Sequence, residues 1–230
     1  MADAPVLPRI PAEYWSDPLC IWAYVAQGRL EGLMAAHGDQ IDLRYHIVPV
    51  FGSVIARFAA GGAWAAQGPR GRQEATARIA AAQGHPEVSG AVWVDDCPAS
   101  SWAPSAAIQG VFLLQARGEV AAGAAEAYQL DLRRTFFVEN RNIARRAVWL
   151  ERAEALGVPR GPLEALVDDG TALARVAQDD QRRQEDRIQG SPTWIFDGGR
   201  ARLYGNFAPG VLTATVDTLL AGLSPGGSRC

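Results

Sequence analysis

Cysteine is scarce in this chain. Only Cys20, Cys97 and Cys230 occur among 230 residues. So sparse and odd a set argues against a disulfide framework and fits a reducing compartment. Long apolar runs are absent too; none approaches the roughly 20 residues needed to span a bilayer. The opening Met1-Ala2-Asp3-Ala4-Pro5 has neither a basic n-region nor an apolar h-region. It does not read as a secretory signal, and the expected location is cytoplasmic. The 22 basic and 25 acidic side chains leave a net charge of −3, with no clustered basic face. Neither a nucleic acid nor a membrane is an expected partner. His37, His46 and His85 are scattered, and none pairs with a cysteine at metal-ligand spacing, so no metal site is expected. There is no serine-hydrolase elbow, no phosphate-binding loop and no internal repeat. What remains is globular, at 48% hydrophobic and 20% charged residues. Its length suits one large domain, or one domain with a sizeable insertion.

Two stretches stand out. The first is Ser16-Asp17-Pro18-Leu19-Cys20-Ile21-Trp22-Ala23-Tyr24, which follows the strand-like run Ile10 to Trp15. Asp17 suits an N-cap and Pro18 a first helical position, which puts Cys20 in the first turn. Free N–H groups and the helix dipole would stabilise a thiolate there. The alternative for Cys20 is a small, inert core residue. The second stretch, Ile188 to Gly199, brings a loop into a strand through Ser191-Pro192 and ends in Gly198-Gly199.

Between them the pattern alternates and then turns helical. Pro18 to His37 reads as one long helix, and Ile41 to Val50 as a strand. Residues 51–69 show no period. Arg70 to Gln83 reads as a helix, and Val88 to Asp96 is either a short extended piece or a loop. Helices are expected at about 104–117, 119–138, 142–156, 160–168 and 171–187, separated by turn and capping signals. The run Asp179 to Arg187 reads as a solvated helix face with i,i+4 pairs such as Asp179 with Arg183. Trp194–Phe196 and Arg202–Tyr204 form a hairpin, and Ala208–Gly222 is the last helix.

The two stretches, in this order and spacing, resemble the DsbA family of thioredoxin-fold proteins. Its relatives include the FrnE-like proteins, the 2-hydroxychromene-2-carboxylate isomerases and the kappa-class glutathione transferases. The resemblance implies an α/β thioredoxin-like fold with a large all-helical insertion. Residues 10–58 would form its first half, 59–187 the inserted subdomain and 188–222 the second half, with tails at 1–9 and 223–230. It also implies that Cys20 is the nucleophile and that Pro192 is the family's cis-proline. Ser191, Pro192, Thr193 and the aromatic Trp22 would line a groove for an extended peptide, a small thiol or glutathione.

One departure matters most. The family's second cysteine is missing, because position 23 is alanine. A dithiol oxidant resolves its mixed disulfide with that second thiol. Without it, resolution needs an outside thiol, such as glutathione as cosubstrate; no tightly bound cofactor is expected. Cys97 or Cys230 acting as a remote resolving thiol is a weaker alternative. Three readings follow. One is a single-cysteine oxidoreductase acting on a small thiol, a small molecule or a protein thiol. Another is a glutathione-dependent isomerase or transferase. Against it, Cys20 stands where those relatives commonly have serine, and Tyr204-Gly205-Asn206-Phe207 lacks their Asp-Arg pair. The third is a non-catalytic binding module.

Overall fold

The computed structural model describes residues 9–223 and 225. Strand β1 (Ile10–Ser16) runs into helices α1 (Ile21–Val25) and α2 (Gln27–His37), and strand β2 (Ile41–Ile47) follows. Eight helices come next: α3 (Val54–Phe58), α4 (Gly68–Ala82), α5 (Val92–Asp95), α6 (Trp102–Ala116), α7 (Ala124–Phe137), α8 (Arg146–Ala155), α9 (Arg160–Asp168) and α10 (Thr171–Glu185). The chain closes with β3 (Thr193–Phe196), β4 (Ala201–Tyr204) and α11 (Pro209–Leu220). The sheet order is β2-β1-β3-β4. β1 and β2 are parallel, while β3 runs antiparallel to both β1 and β4. This is a thioredoxin-like α/β fold carrying a large block of helices between β2 and β3, in agreement with the sequence.

Alternation along β1 explains the layers. Ile10, Ala12 and Tyr14 face a core completed by Leu30, Leu33, Trp194, Phe196, Leu212 and Val216. That core seats α2 and α11 on one side of the sheet. Trp15 points the other way and packs with Val48, Ile188 and Ile195. Beyond it lies a larger cluster, built mainly from α6 to α10.

The long first helix is in fact two. Ala26 caps α1 through its N–H to the Trp22 carbonyl. Its own carbonyl then starts α2 by accepting Arg29 and Leu30 N–H groups. A pattern of apolar positions spans such a bend without registering it. The second strand stops at Ile47, before Pro49. The ambiguous stretch 88–96 contains the short helix α5.

Asp179 departs furthest from expectation. It is 4% exposed, not solvated. Its Oδ1 lies 2.8 Å from His46 Nδ1, and its Oδ2 accepts the Ile47 N–H at 3.0 Å and Gln109 Nε2 at 2.6 Å. One carboxylate therefore ties β2 to α6 and α10. Arg183 pairs with Asp180 instead, at 2.8 Å. His46 also stacks on Trp15, with ring centroids 3.9 Å apart. It serves the packing of α10 rather than Cys20.

Candidate active site around Cys20

The loop after β1 is held by the carboxylate of Asp17, which is fully buried. Oδ1 accepts the Leu19 N–H at 2.7 Å. Oδ2 accepts the Phe51 N–H at 2.8 Å and the Ser101 hydroxyl at 2.7 Å. Asp17 is thus not the helix N-cap. It folds its own loop and fastens it to two distant segments. Burial pushes its carboxyl up to about 6, against the pull of those three hydrogen bonds and of Arg133.

Cys20 takes the N-cap position of α1, with extended backbone angles. Its carbonyl accepts the Ala23 and Tyr24 N–H groups. Its thiol donates to the Ser191 carbonyl at 3.1 Å. Ser191 answers from the other side of the loop, its hydroxyl accepting the Asp17 N–H at 2.9 Å. The Ser191–Pro192 peptide is cis. The Pro192 carbonyl accepts Gly205 N–H at 2.9 Å, and Thr193 Oγ1 donates to Gly190 at 2.7 Å.

Burial pushes the Cys20 thiol above its ordinary value, and the Asp17 carboxylate adds to this. The Ser191 side chain and the Ala23 and Trp22 N–H groups oppose the shift without cancelling it. The sequence pointed to a thiolate stabilised by a long helix. The helix that actually follows Cys20 has five residues before the bend at Ala26. Its end effect is correspondingly small, and desolvation prevails.

Cys20, Trp22 and Ser191 line one cavity of about 330 Å³. Contrary to expectation, Pro192 and Thr193 do not line it; Thr193 faces a separate hollow beside Ile188 and Arg202. Trp22 is 39% exposed at the rim, whereas Tyr24 is buried against Phe137. Cys97 is exposed and does not line the cavity. Cys230 lies outside the described residues. Among the cavity residues that the sequence reading did not single out are Phe51, Arg57, Trp64 and Arg72; Tyr204 lines it too. Tyr204 leans on Gly190, where an added Cβ would meet its hydroxyl at 3.0 Å. Only a residue without a side chain leaves that ring its place. No group of three or more His, Cys, Asp or Glu side chains suited to a metal occurs among the described residues.

The DSBA-like thioredoxin domain pattern matches residues 13–217. The chain belongs to the DSBA-like thioredoxin family. Solved structures of DSBA-like architecture cover nearly all of it. A Nitrosomonas europaea protein assigned as a protein disulfide isomerase superposes with a TM-score of 0.75 at 16% identity, over 93% of this chain and 98% of that one. The cytosolic disulfide reductase DsbM of Pseudomonas aeruginosa, solved with GSH, gives 0.66 at 24% identity, over 92% and 99%. A 2-hydroxychromene-2-carboxylate isomerase gives 0.63 at 17% identity, over 92% and 97%. A comparison with curated proteins gave no match. No helix among the described residues is long and apolar enough to cross a membrane.

Proposed function

We propose that this DSBA-like protein is a single-cysteine thiol oxidoreductase that uses glutathione as its outside thiol. The observation that carries the reading is the Cys20 thiol, 3.1 Å from the Ser191 carbonyl, with the buried Ala23 where a resolving cysteine would stand. The first step is exchange. Cys20 loses its proton to solvent, and the thiolate attacks one sulfur of a disulfide RSSR. A Cys20–S–S–R bond forms, and the RS⁻ that leaves takes up a proton. Glutathione thiolate then attacks the mixed disulfide, releasing GSSR and restoring the Cys20 thiol. The N-cap position exposes no second thiol to intercept this species. The Ser191 carbonyl accepts the S–H in the resting state, which keeps the sulfur neutral and oriented. Because burial raises this thiol, attack should accelerate with pH to beyond the ordinary cysteine range.

DsbM was solved with GSH and is named as a disulfide reductase. That gives glutathione a precedent on this fold, and scarce cysteine fits a reducing, cytoplasmic setting. A second reading, glutathione-dependent isomerisation or transfer, is favoured by the same lack of a second thiol and by a cavity sized for a small molecule.

Glutathione-coupled reduction of 2-hydroxyethyl disulfide separates these readings. Wild type should turn over, Cys20→Ser should not, and mass spectrometry should find a mixed disulfide on Cys20 alone. Reduction that persists in Cys20→Ser sinks the oxidoreductase reading. Glutathione binding retained without any exchange points to the isomerase class.

A further inference from the structure

We propose that Arg57 and Arg72 form a carboxylate-recognition pair beside Cys20, and that the exchange partner is a small disulfide or thiol bearing a carboxylate. This rests on the reading of Cys20 as the reacting thiol and names the substrate class of the same site.

The two guanidinium groups share one cavity with Cys20 and Ser191, and no Asp or Glu lines it. Several other arginines meet carboxylates, such as Arg152 with Asp131 and Arg145 with Asp96. Arg57 and Arg72 form no ion pair among the described residues. The side-chain hydrogen bond of Arg57 goes to the Val50 carbonyl at 2.7 Å. Arg72 has a buried Nε with no partner at all. Instead both groups lie on aromatic faces. The Arg57 Cζ sits 5.1 Å, and the Arg72 Cζ 4.3 Å, from the centre of the Trp64 ring. Phe51 supports Arg57 at 4.8 Å and Trp93 supports Arg72 at 5.2 Å.

Burial is the larger cause that holds Arg72 down to about 10, and the like charge of Arg57 on the same indole adds to it; the group is still protonated at neutral pH. The same guanidinium is within electrostatic reach of the Cys20 sulfur. A desolvated cation without a counter-ion is unfavourable. A carboxylate entering from the substrate would satisfy both, with the planar, paired N–H geometry that arginine offers. A volume of about 330 Å³ is at the lower end for ligand sites and admits a small molecule, not a folded segment.

Three disulfides of similar length test this: 3,3′-dithiodipropionate, 2-hydroxyethyl disulfide and cystamine, with acidic, neutral and basic ends. Mixed-disulfide formation on Cys20 is timed by mass spectrometry and normalised to free cysteine. The acidic probe should lead the neutral one by about tenfold, near 1.4 kcal/mol, and cystamine should trail. The lead should vanish in Arg57→Gln and in Arg72→Gln, shrink in Arg72→Lys, and fade with added salt. Circular dichroism checks that each variant folds. Equal normalised rates in wild type, or a lead that survives both glutamine variants, overturns the proposal while leaving the exchange reaction standing. A separate arm uses Cys20→Ser, which cannot exchange, and titrates 3,3′-dithiodipropionate against tryptophan fluorescence. Quenching abolished by Arg72→Gln supports the recognition pair even if Cys20 proves inert. No saturable response there refutes it.

Discussion

Replacing Asp17 by Asn sets two effects of known sign against each other. The folded-state pKa of about 6 lies above the ordinary 3.8. Between those values the folded chain keeps a proton that the unfolded chain has released. The stability this group contributes is complete below about pH 4 and lost as pH rises through about 6. A gap of about two pH units at 1.36 kcal/mol each makes about 3 kcal/mol. Asp17→Asn removes that dependence. It also puts an amide NH₂ where one oxygen accepted, so either Leu19 or Phe51 loses its partner. An orphaned buried N–H costs about 1–3 kcal/mol. The variant should therefore be less stable than wild type by about 1–3 kcal/mol near pH 4, and equal to it or better by up to about 2 kcal/mol near pH 8. Urea unfolding at several pH values reads the difference. A gap between the two proteins that stays constant from about pH 4 to 8 refutes the reasoning. Alkylation supplies a second readout. Loss of the negative charge beside Cys20 should move the thiol's titration midpoint downward.

Other substitutions probe the frame and the chemistry. Ala23→Cys should replace the long-lived mixed disulfide with an internal disulfide between the introduced thiol and Cys20, visible as a loss of two mass units and of glutathione dependence. Asp179→Ala strips partners from Ile47 N–H, Gln109 and His46, and should cost about 2–5 kcal/mol in thermal or urea unfolding. In the folded fraction it should leave Cys20 exchange unchanged. Gly110→Ala would drive a Cβ to 2.6 Å from the Leu163 methyl, where α6 meets α9. The resulting overpacking of about 1–3 kcal/mol should outweigh the helix propensity gained and lower Tm by several degrees.

The order of the strands, the helical block between β2 and β3 and the meeting of Cys20 with Ser191 were readable in the sequence, whereas the bend at Ala26 and the short helices α3 and α5 were not. Local patterns carry such information: alternation in β1 and β2, helical spacing afterwards, and a proline at a strand's start. What escaped was set by distance in the chain. Asp17 has the chemistry of a cap, but its Oδ2 is claimed by Phe51 and Ser101. Asp179 sits in a run of charges that reads as solvated, and only the approach of His46 and Gln109 buries it. Arg57, Trp64 and Arg72 occupy a stretch without period at 51–69 and the helix after it. Their meeting depends on how α3 and α4 fold back over Cys20. The thiol itself departs from expectation for a related reason. Capping signals announce a helix start, but they do not report how deeply that start is buried.

The hydrogen bond from Cys20 to Ser191 spans 171 residues of chain. During synthesis the thiol therefore emerges well before its cover. At about 5–20 residues per second, that interval is roughly 9–34 s. For that time Cys20 has the accessibility and acidity of any free cysteine on a nascent chain. The mature site thus admits only what fits its cavity, whereas on the ribosome the same sulfur is open to any oxidant. A chain trapped there by a bulky mixed disulfide could not seat the loop between α10 and β3 against the thiol as it does in the folded protein.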